Sequence, residues 1–300
     1  MNNTPGQPDW STLDTQELQE KLETGELVIF NKCPFELPAA EDMEFLRGQK
    51  VHEAKNISYF PSESTIHGYR EEHSGDYEMV HRILSQFSAS ATNWLSETLP
   101  AYMTGRRFGP IRFRAEEEKD RTNIEPRFSG SVLHVDMNGD APSHGESFLR
   151  IFVNINPSKP RYWITSVSLE KLLDEWDDDI RVPNERLLGL IDDFRLYLAR
   201  RFRGKVLSNS AYHRLMSRIH FFGKTDDYLQ NQAPQSAWTF PPGSAWIVFS
   251  DLTSHAVLEG QFAIDQTYFV SAAAFKNPER SAKYLIKGFW AGKARGAREQ

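Results

Sequence analysis

Apolar positions recur at helical spacing in several stretches of the chain and form short β-like runs elsewhere. Between 77 and 99, Met79, Ile83, Leu84, Phe87 and Trp94 share one face of a 3.6-residue repeat that stops before Pro100, which predicts an amphipathic helix. Asp14 and Glu17 have capping-box spacing and Gly25 follows, so a short helix is expected there, with a strand over 27–30 behind it. A second helical block begins at Ser168, with Leu169, Leu172, Leu173 and Trp176 on one face. Pro183 suits the first turn of the next helix, in which Leu187, Ile191, Phe194, Leu198 and Phe202 recur until Gly204, and a third helix is expected around 211–219.

Runs rich in Val, Ile, Phe and Trp predict strands in two groups, 111–114, 131–136 and 148–155, then 245–249, 254–258 and 267–272. Asn138-Gly139-Asp140 and Pro241-Pro242-Gly243 are the clearest turns between them. Strands interrupted by helices, without βαβ alternation, predict an α+β protein with a mainly β core, a small barrel or sandwich, and a helical insertion at about 165–225. One domain over 13–275 is expected, between a disordered tail at 1–12 and a basic-aromatic segment at 276–300.

Composition narrows the function classes. With 39% hydrophobic and 25% charged residues the chain is expected to fold, and its single cysteine, Cys33, excludes a disulfide scaffold, a CxxC redox site and a thiolate zinc site. A net charge of −6 argues against general nucleic-acid binding. No secretory signal and no run of about 18 apolar residues is visible, so a cytoplasmic protein is expected. Local charge departs from the average: Arg106, Arg107, Arg112 and Arg114 fall close together without an acid. Over 276–298, Lys and Arg interleave with Tyr284, Leu285, Ile286, Phe289 and Trp290. That segment reads either as a solvated basic tail or as one that leans on anionic lipid.

Leu133-His134-Val135-Asp136 carries the sharpest chemical signal. On a strand, residues two apart face the same way, so His134 and Asp136 present an imidazole and a carboxylate side by side. With a distant histidine they would make a facial triad for non-haem Fe(II); alone they read equally as a hydrogen-bonded His–Asp pair. His144 and Glu146 form a rival pair in a polar loop. His255, opening a late strand, has the type and place for the third ligand, whereas His213 and His220 lie on the helical insertion and read as packing or surface residues. Arg150 stands in Ser147-Phe148-Leu149-Arg150-Ile151-Phe152-Val153-Asn154-Ile155 and shares a face with Asn154. A guanidinium amid such apolar residues needs an anion, either a bound carboxylate or a structural acid.

The blocks Leu133-His134-Val135-Asp136 through Ile155-Asn156-Pro157, and Phe240-Pro241-Pro242-Gly243-Ser244 through Ser254-His255-Ala256-Val257-Leu258 to Gln266-Thr267, resemble the bacterial Kdo 3-hydroxylases. The resemblance implies a double-stranded β-helix, a jelly-roll of cupin type. It implies Fe(II) held by His134, Asp136 and His255, with 2-oxoglutarate and O2 as cosubstrates. The reaction implied is hydroxylation at C3 of 3-deoxy-D-manno-oct-2-ulosonic acid (Kdo) in the lipopolysaccharide inner core or a Kdo-lipid precursor, with release of succinate and CO2. The wider superfamily often anchors 2-oxoglutarate with an Arg about ten residues past the distal His. Gln266 stands there in this chain, which leaves Arg150 as the anchor, supported by Asn154, Gln266 and Thr267. For the sugar carboxylate the candidates are Arg127 and Arg161, followed by the arginines at 106–114. A Kdo glycolipid partner further implies peripheral contact with the cytoplasmic face of the inner membrane. Two other classes stay open: a metal-dependent hydrolase or isomerase on a related barrel, and a carbohydrate-binding module that stacks sugar on Tyr162, Trp163, Trp238 and Trp246.

Overall fold

Ten strands make two antiparallel sheets among the residues described by the computed structural model, which are 13–52, 54–70, 72–73, 75–120, 125, 129–137, 145–176 and 211–296. The strands are β1 (Val28–Phe30), β2 (Ile57–Phe60), β3 (Thr65–His67), β4 (Arg107–Arg114), β5 (Ser147–Asn154), β6 (Arg161–Ser168), β7 (Ser236–Phe240), β8 (Ala245–Phe249), β9 (Thr253–Glu259) and β10 (Ala263–Val270). The larger sheet runs β1-β8-β5-β10-β4-β2-β3 and the smaller β7-β6-β9. Around them lie helices α1 (Thr15–Glu23), α2 (Ala40–Gly48), α3 (Asp76–Thr98), α4 (Pro100–Met103), α5 (Leu169–Glu175), α6 (Ala211–Gly223) and α7 (Ala282–Gly296).

Period-two alternation decides which residues reach the space between the sheets. β10 pairs with β5 and β4 so that Asp265 lies opposite Phe152 and Arg112, and Thr267 opposite Arg150. These residues face the smaller sheet. Their neighbours Ile111, Phe113, Ile151, Val153 and Ile264 join the buried cluster that includes Ile83, Leu84, Phe87, Ala91 and Leu95 of α3. β5 and β10 are buried along their whole length, which explains their near-continuous apolar runs. Phe87 is fully buried, and truncating it to Ala would cost about 3–5 kcal/mol. Between the sheets, Phe152, Trp163, Phe240 and Trp246 form a second cluster, with Phe240 and Trp246 stacked at 3.8 Å between ring centroids. The two facing sheets form the β-helix core that the resemblance implied.

Several expected elements are extended or redrawn. The capping box at Asp14 and Glu17 forms, and the expected helix over 77–99 is α3. β4 starts earlier than expected, at Arg107, and β10 at Ala263. The run 131–136 is not a regular strand; it meets β9 through a single bridge, His134 to His255. β6 occupies the start of the supposed insertion, and Ser168 caps α5 immediately after it. The expected helix from Pro183 to Gly204 and the tail at 1–12 lie outside the described residues. In the 276–300 segment, Ala282 and Ile286 of α7 are fully buried in the main core. No helix among the described residues is long and apolar enough to cross a membrane.

Candidate active site

His134 and His255 come together through backbone pairing. His134 N donates to His255 O at 3.1 Å and His255 N donates to His134 O at 2.9 Å, while Asp136 N reaches Ser250 O at 2.8 Å. Directly opposed residues of an antiparallel pair hold their side chains side by side, and the two imidazole centroids are 4.9 Å apart. Asp136 lies two residues on and faces the same way: its Oδ1 is 3.6 Å from His134 Nε2 and its Oδ2 is 3.9 Å from His255 Nε2. One ligand atom from each of the three lies within 4.8 Å of the others.

This donor set fits a divalent transition metal. His134 Nδ1 donates to Val132 O at 2.8 Å and His255 Nδ1 to Thr253 O at 2.9 Å, so each ring turns an Nε2 lone pair toward Asp136. Burial lowers the pKa of both imidazoles, that of His255 to about 4, and keeps them neutral. Burial would raise the Asp136 carboxyl, but Arg150 and the two histidines outweigh it and hold the group well below the usual carboxylate range. Two neutral nitrogens and one carboxylate leave further coordination positions open on an octahedral ion.

A cavity of about 200 Å³ opens beside the triad. Arg112, Arg114, Arg150 and Thr267 contribute to it from the larger sheet and Trp163 from the smaller one. Asp265, fully buried, is the acid among these arginines: Arg114 Nε donates to it at 2.6 Å, Arg150 Nη2 at 2.5 Å, and Arg112 Nη1 lies 3.8 Å away. Burial opposes its ionisation, yet the three guanidinium groups pull its pKa down to about 2. Three guanidinium groups crowd this wall around Asp265; Arg150 also reaches Asp136 at 2.6 Å, and Arg114 lies 3.7 Å from Glu118. Arg150 Nε, Thr267 Oγ1 and Trp163 Nε1 are buried without a hydrogen-bond partner. Orphaned polar groups of this kind cost about 1–3 kcal/mol each unless a ligand meets them.

Of the residues expected to bind 2-oxoglutarate, only Arg150 and Thr267 line this cavity. Gln266 points to the opposite face of β10 and donates to Ser88 on α3 at 2.9 Å, because alternation turns it away from Thr267. Asn154 is spent on structure, donating to Phe240 O at 2.9 Å and Lys159 O at 3.0 Å. Arg161 is fully buried, donates to Gly260 O at 2.8 Å and lies 3.7 Å from Glu118, outside the cavity wall, so it is withdrawn as a sugar contact. Arg127 and His144 lie outside the described residues. Glu146 is paired with Arg107 at 2.6 Å. Asp265 went unnoticed in the sequence, although it is the immediate neighbour of Gln266 on β10. The stacking aromatics of the carbohydrate-module reading are mostly interior: Trp246 and Trp163 are buried, and Trp238 donates to Thr165 Oγ1 at 2.8 Å.

No curated protein sequence matches the chain. Among solved structures it is similar to the Kdo hydroxylase KdoO, a non-haem Fe(II) alpha-ketoglutarate-dependent dioxygenase, in complex with cobalt(II). That match has a TM-score of 0.81 and 30% identity, covering 97% of this chain and 95% of that one. KdoO with succinate and Fe(III) matches at TM-score 0.79 and 29% identity over 97% and 94% of the two chains. KdoO with alpha-ketoglutarate and Fe(III) matches at 0.78 and 31% over 94% and 93%. A family model for 3-deoxy-D-manno-oct-2-ulosonic acid (Kdo) hydroxylase matches residues 7–289, and the chain that folds His134, Asp136 and His255 onto one point belongs to that family.

Proposed function

We propose that the chain is an Fe(II)- and 2-oxoglutarate-dependent dioxygenase that hydroxylates C3 of a Kdo sugar in the lipopolysaccharide inner core or its lipid-linked precursor. The observation that carries this reading is the convergence of two Nε2 atoms and one carboxylate beside a cavity walled by arginines. His134, Asp136 and His255 hold the iron. When bound, the ferrous centre with 2-oxoglutarate and O2 supplies the oxidising power that turns C–H into C–OH, with succinate and CO2 released.

The chain's own residues hold and orient. Arg150 and Thr267 meet the distal carboxylate of 2-oxoglutarate, and Trp163 Nε1 offers a further donor from the opposite sheet. Arg112 and Arg114 extend the arginine wall, whose donors suit an anionic cosubstrate and a carboxylate sugar despite the net charge of −6. Phe148, Phe152 and Val257 also line the cavity and exclude water around the triad. No side-chain acid or base is called for.

The reading also places the enzyme on the cytoplasmic face of the inner membrane, in peripheral contact through α7, where Lys283 and Lys287 flank the exposed Tyr284. Lys276 and Arg280 contribute less, being paired with Glu20. Co-sedimentation with anionic vesicles checks that contact.

Anaerobic loading with Fe(II) and 2-oxoglutarate, followed by aeration with a Kdo-lipid acceptor, tests the activity. A gain of one oxygen on the sugar with stoichiometric succinate is expected. Unchanged sugar with no succinate, from iron-loaded protein, would sink the reading.

A further inference from the structure

The segment that carries His134 and Asp136 has β-type backbone pairing along one edge. There His134 exchanges both backbone bonds with His255, and Val257 N donates to Gly130 O at 2.9 Å. Backbone groups along an extended chain alternate in direction, so Leu133 and Val135 present theirs to the opposite edge. Among the described residues no strand lies there. Side chains from α6 and from the turn that follows it stand in its place. Gln230, in the π-helical turn Tyr228–Gln232, accepts from Leu133 N at 3.1 Å through Oε1 and donates Nε2 to Leu133 O at 2.9 Å. His220 of α6 donates Nδ1 to Val135 O at 2.7 Å, and Lys224 donates to Ser129 O at 3.0 Å. The His220 ring also meets the His134 ring edge to face, with centroids 5.1 Å apart.

We propose that α6 and the π-helical turn after it act as a surrogate edge strand for the metal-ligand segment, with His220 and Gln230 as positioning residues that set the aim of His134 and Asp136. A primary amide carries one acceptor and two donors and so reproduces what a neighbouring peptide group would offer. Leu133 N and O are the two backbone groups that Gln230 satisfies, and the O belongs to the peptide leading into His134. Without Gln230 those groups are relieved by rotating that peptide, which swings the His134 ring. His220 fixes the peptide between the two ligands in the same way and presses on the imidazole itself. Period-two geometry ties His134 and Asp136 together, so one backbone shift misdirects both.

The proposal rests on these residues being metal ligands, and the experiment separates the two claims. Co(II) alone is titrated into the full chain without oxygen, and the visible absorption bands, the half-saturating concentration and the melting temperature are recorded. Gln230→Ala and His220→Phe, the latter keeping a ring but no donor, should raise half-saturating Co(II) about tenfold or more and shift the bands. His220→Asn, whose amide returns a donor near the Nδ1 position, should restore most of both. Should Gln230→Ala not fold, the isosteric Gln230→Met gives the same reading. Variants that melt lower yet bind Co(II) with unchanged bands and half-saturation overturn the proposal, as does equal loss in His220→Asn and His220→Phe. A wild-type chain that takes up no Co(II) overturns the metal-ligand assignment first, and the proposal with it.

Discussion

Arg150 donates a hydrogen bond to Asp136 at 2.6 Å, so the guanidinium that faces the cosubstrate cavity is tied to a metal-ligand carboxylate. Its other terminal nitrogen reaches Asp265, and its Nε has no partner. Burial alone would lower its pKa, but Asp265 and Asp136 more than offset this and fix the charge. The fork therefore bridges the metal end of the cavity and its arginine wall, with Nε left over for a ligand.

From this follows the first expectation. Arg150→Ala should raise the half-saturating concentration of 2-oxoglutarate at least tenfold, about 1.4 kcal/mol of binding. Arg150→Lys should not restore it, because a point-like ammonium does not span two carboxylates and a ligand as a planar fork does. Steady-state titration of 2-oxoglutarate checks both. An unchanged requirement would move the anchor to Arg112, which approaches Asp265 no nearer than 3.8 Å.

Metal uptake should be insensitive to pH over a range where ordinary histidines begin to protonate. Burial lowers His134 below the usual value of 6.5 and takes His255 to about 4, so both rings compete with a proton for metal only at lower pH than an ordinary histidine does. Half-saturating Co(II) should stay flat from about pH 8 through about pH 6.5, where an ordinary histidine would already make it rise, and climb only below that. A rise already under way near 6.5 contradicts neutral, buried ligands.

The chemistry was more legible in the sequence than the architecture that supports it. His134, Asp136 and His255 could be named because ligand type and period-two spacing are local, and the blocks around them resemble a known family. Gln266 and Asn154 could not be judged, because their roles depend on which face of β10 meets α3 and on what β7 offers to β5. Asp265 was missed for the same reason: an acid reads as a site element only once Arg112, Arg114 and Arg150 from two other strands are seen around it. His220 read as packing, since nothing within its own helix announces that it faces Val135, 85 positions away. The run 131–136 looked like a strand from its composition, and half of that was right: one edge pairs with β9, while the other meets side chains.

Gly109 should prove intolerant of any side chain, with a consequence at the cavity. A Cβ there would lie 2.8 Å from Thr267 Cβ and 3.0 Å from Thr267 O, at the point where the β10–β4 register shifts between Gln266 and Tyr268. Gly109→Ala must therefore push Thr267 out of the cavity wall. A loss of about 1–3 kcal/mol in folding stability is expected from the overpacking. A several-fold rise in half-saturating 2-oxoglutarate should accompany it. Urea unfolding and cosubstrate titration report the two effects separately, and a variant that loses stability with an unchanged titration would remove Thr267 from the cosubstrate site.

Asp251 offers a test of the β8–β9 turn that needs no metal. It is fully buried; its Oδ1 accepts from Phe148 N at 2.9 Å, whereas Oδ2 has no partner. Burial, only partly offset by the Phe148 hydrogen bond, raises its pKa from 3.8 to about 7. Between those two values the folded protein holds a proton that the unfolded chain has released. The stability this gives is complete below about pH 4 and is lost as the pH rises through 7. Asp251→Asn keeps an acceptor for Phe148 N and cannot ionise, so it is spared that loss. The variant should gain on the wild type steadily from about pH 4 to 7 and then hold a constant advantage, with a ceiling of about 4 kcal/mol for the full shift. Urea midpoints across that range measure the gap. If it stays flat, the carboxyl titrates normally and the turn that brings Ser250 to Asp136 is more open to water than its burial indicates.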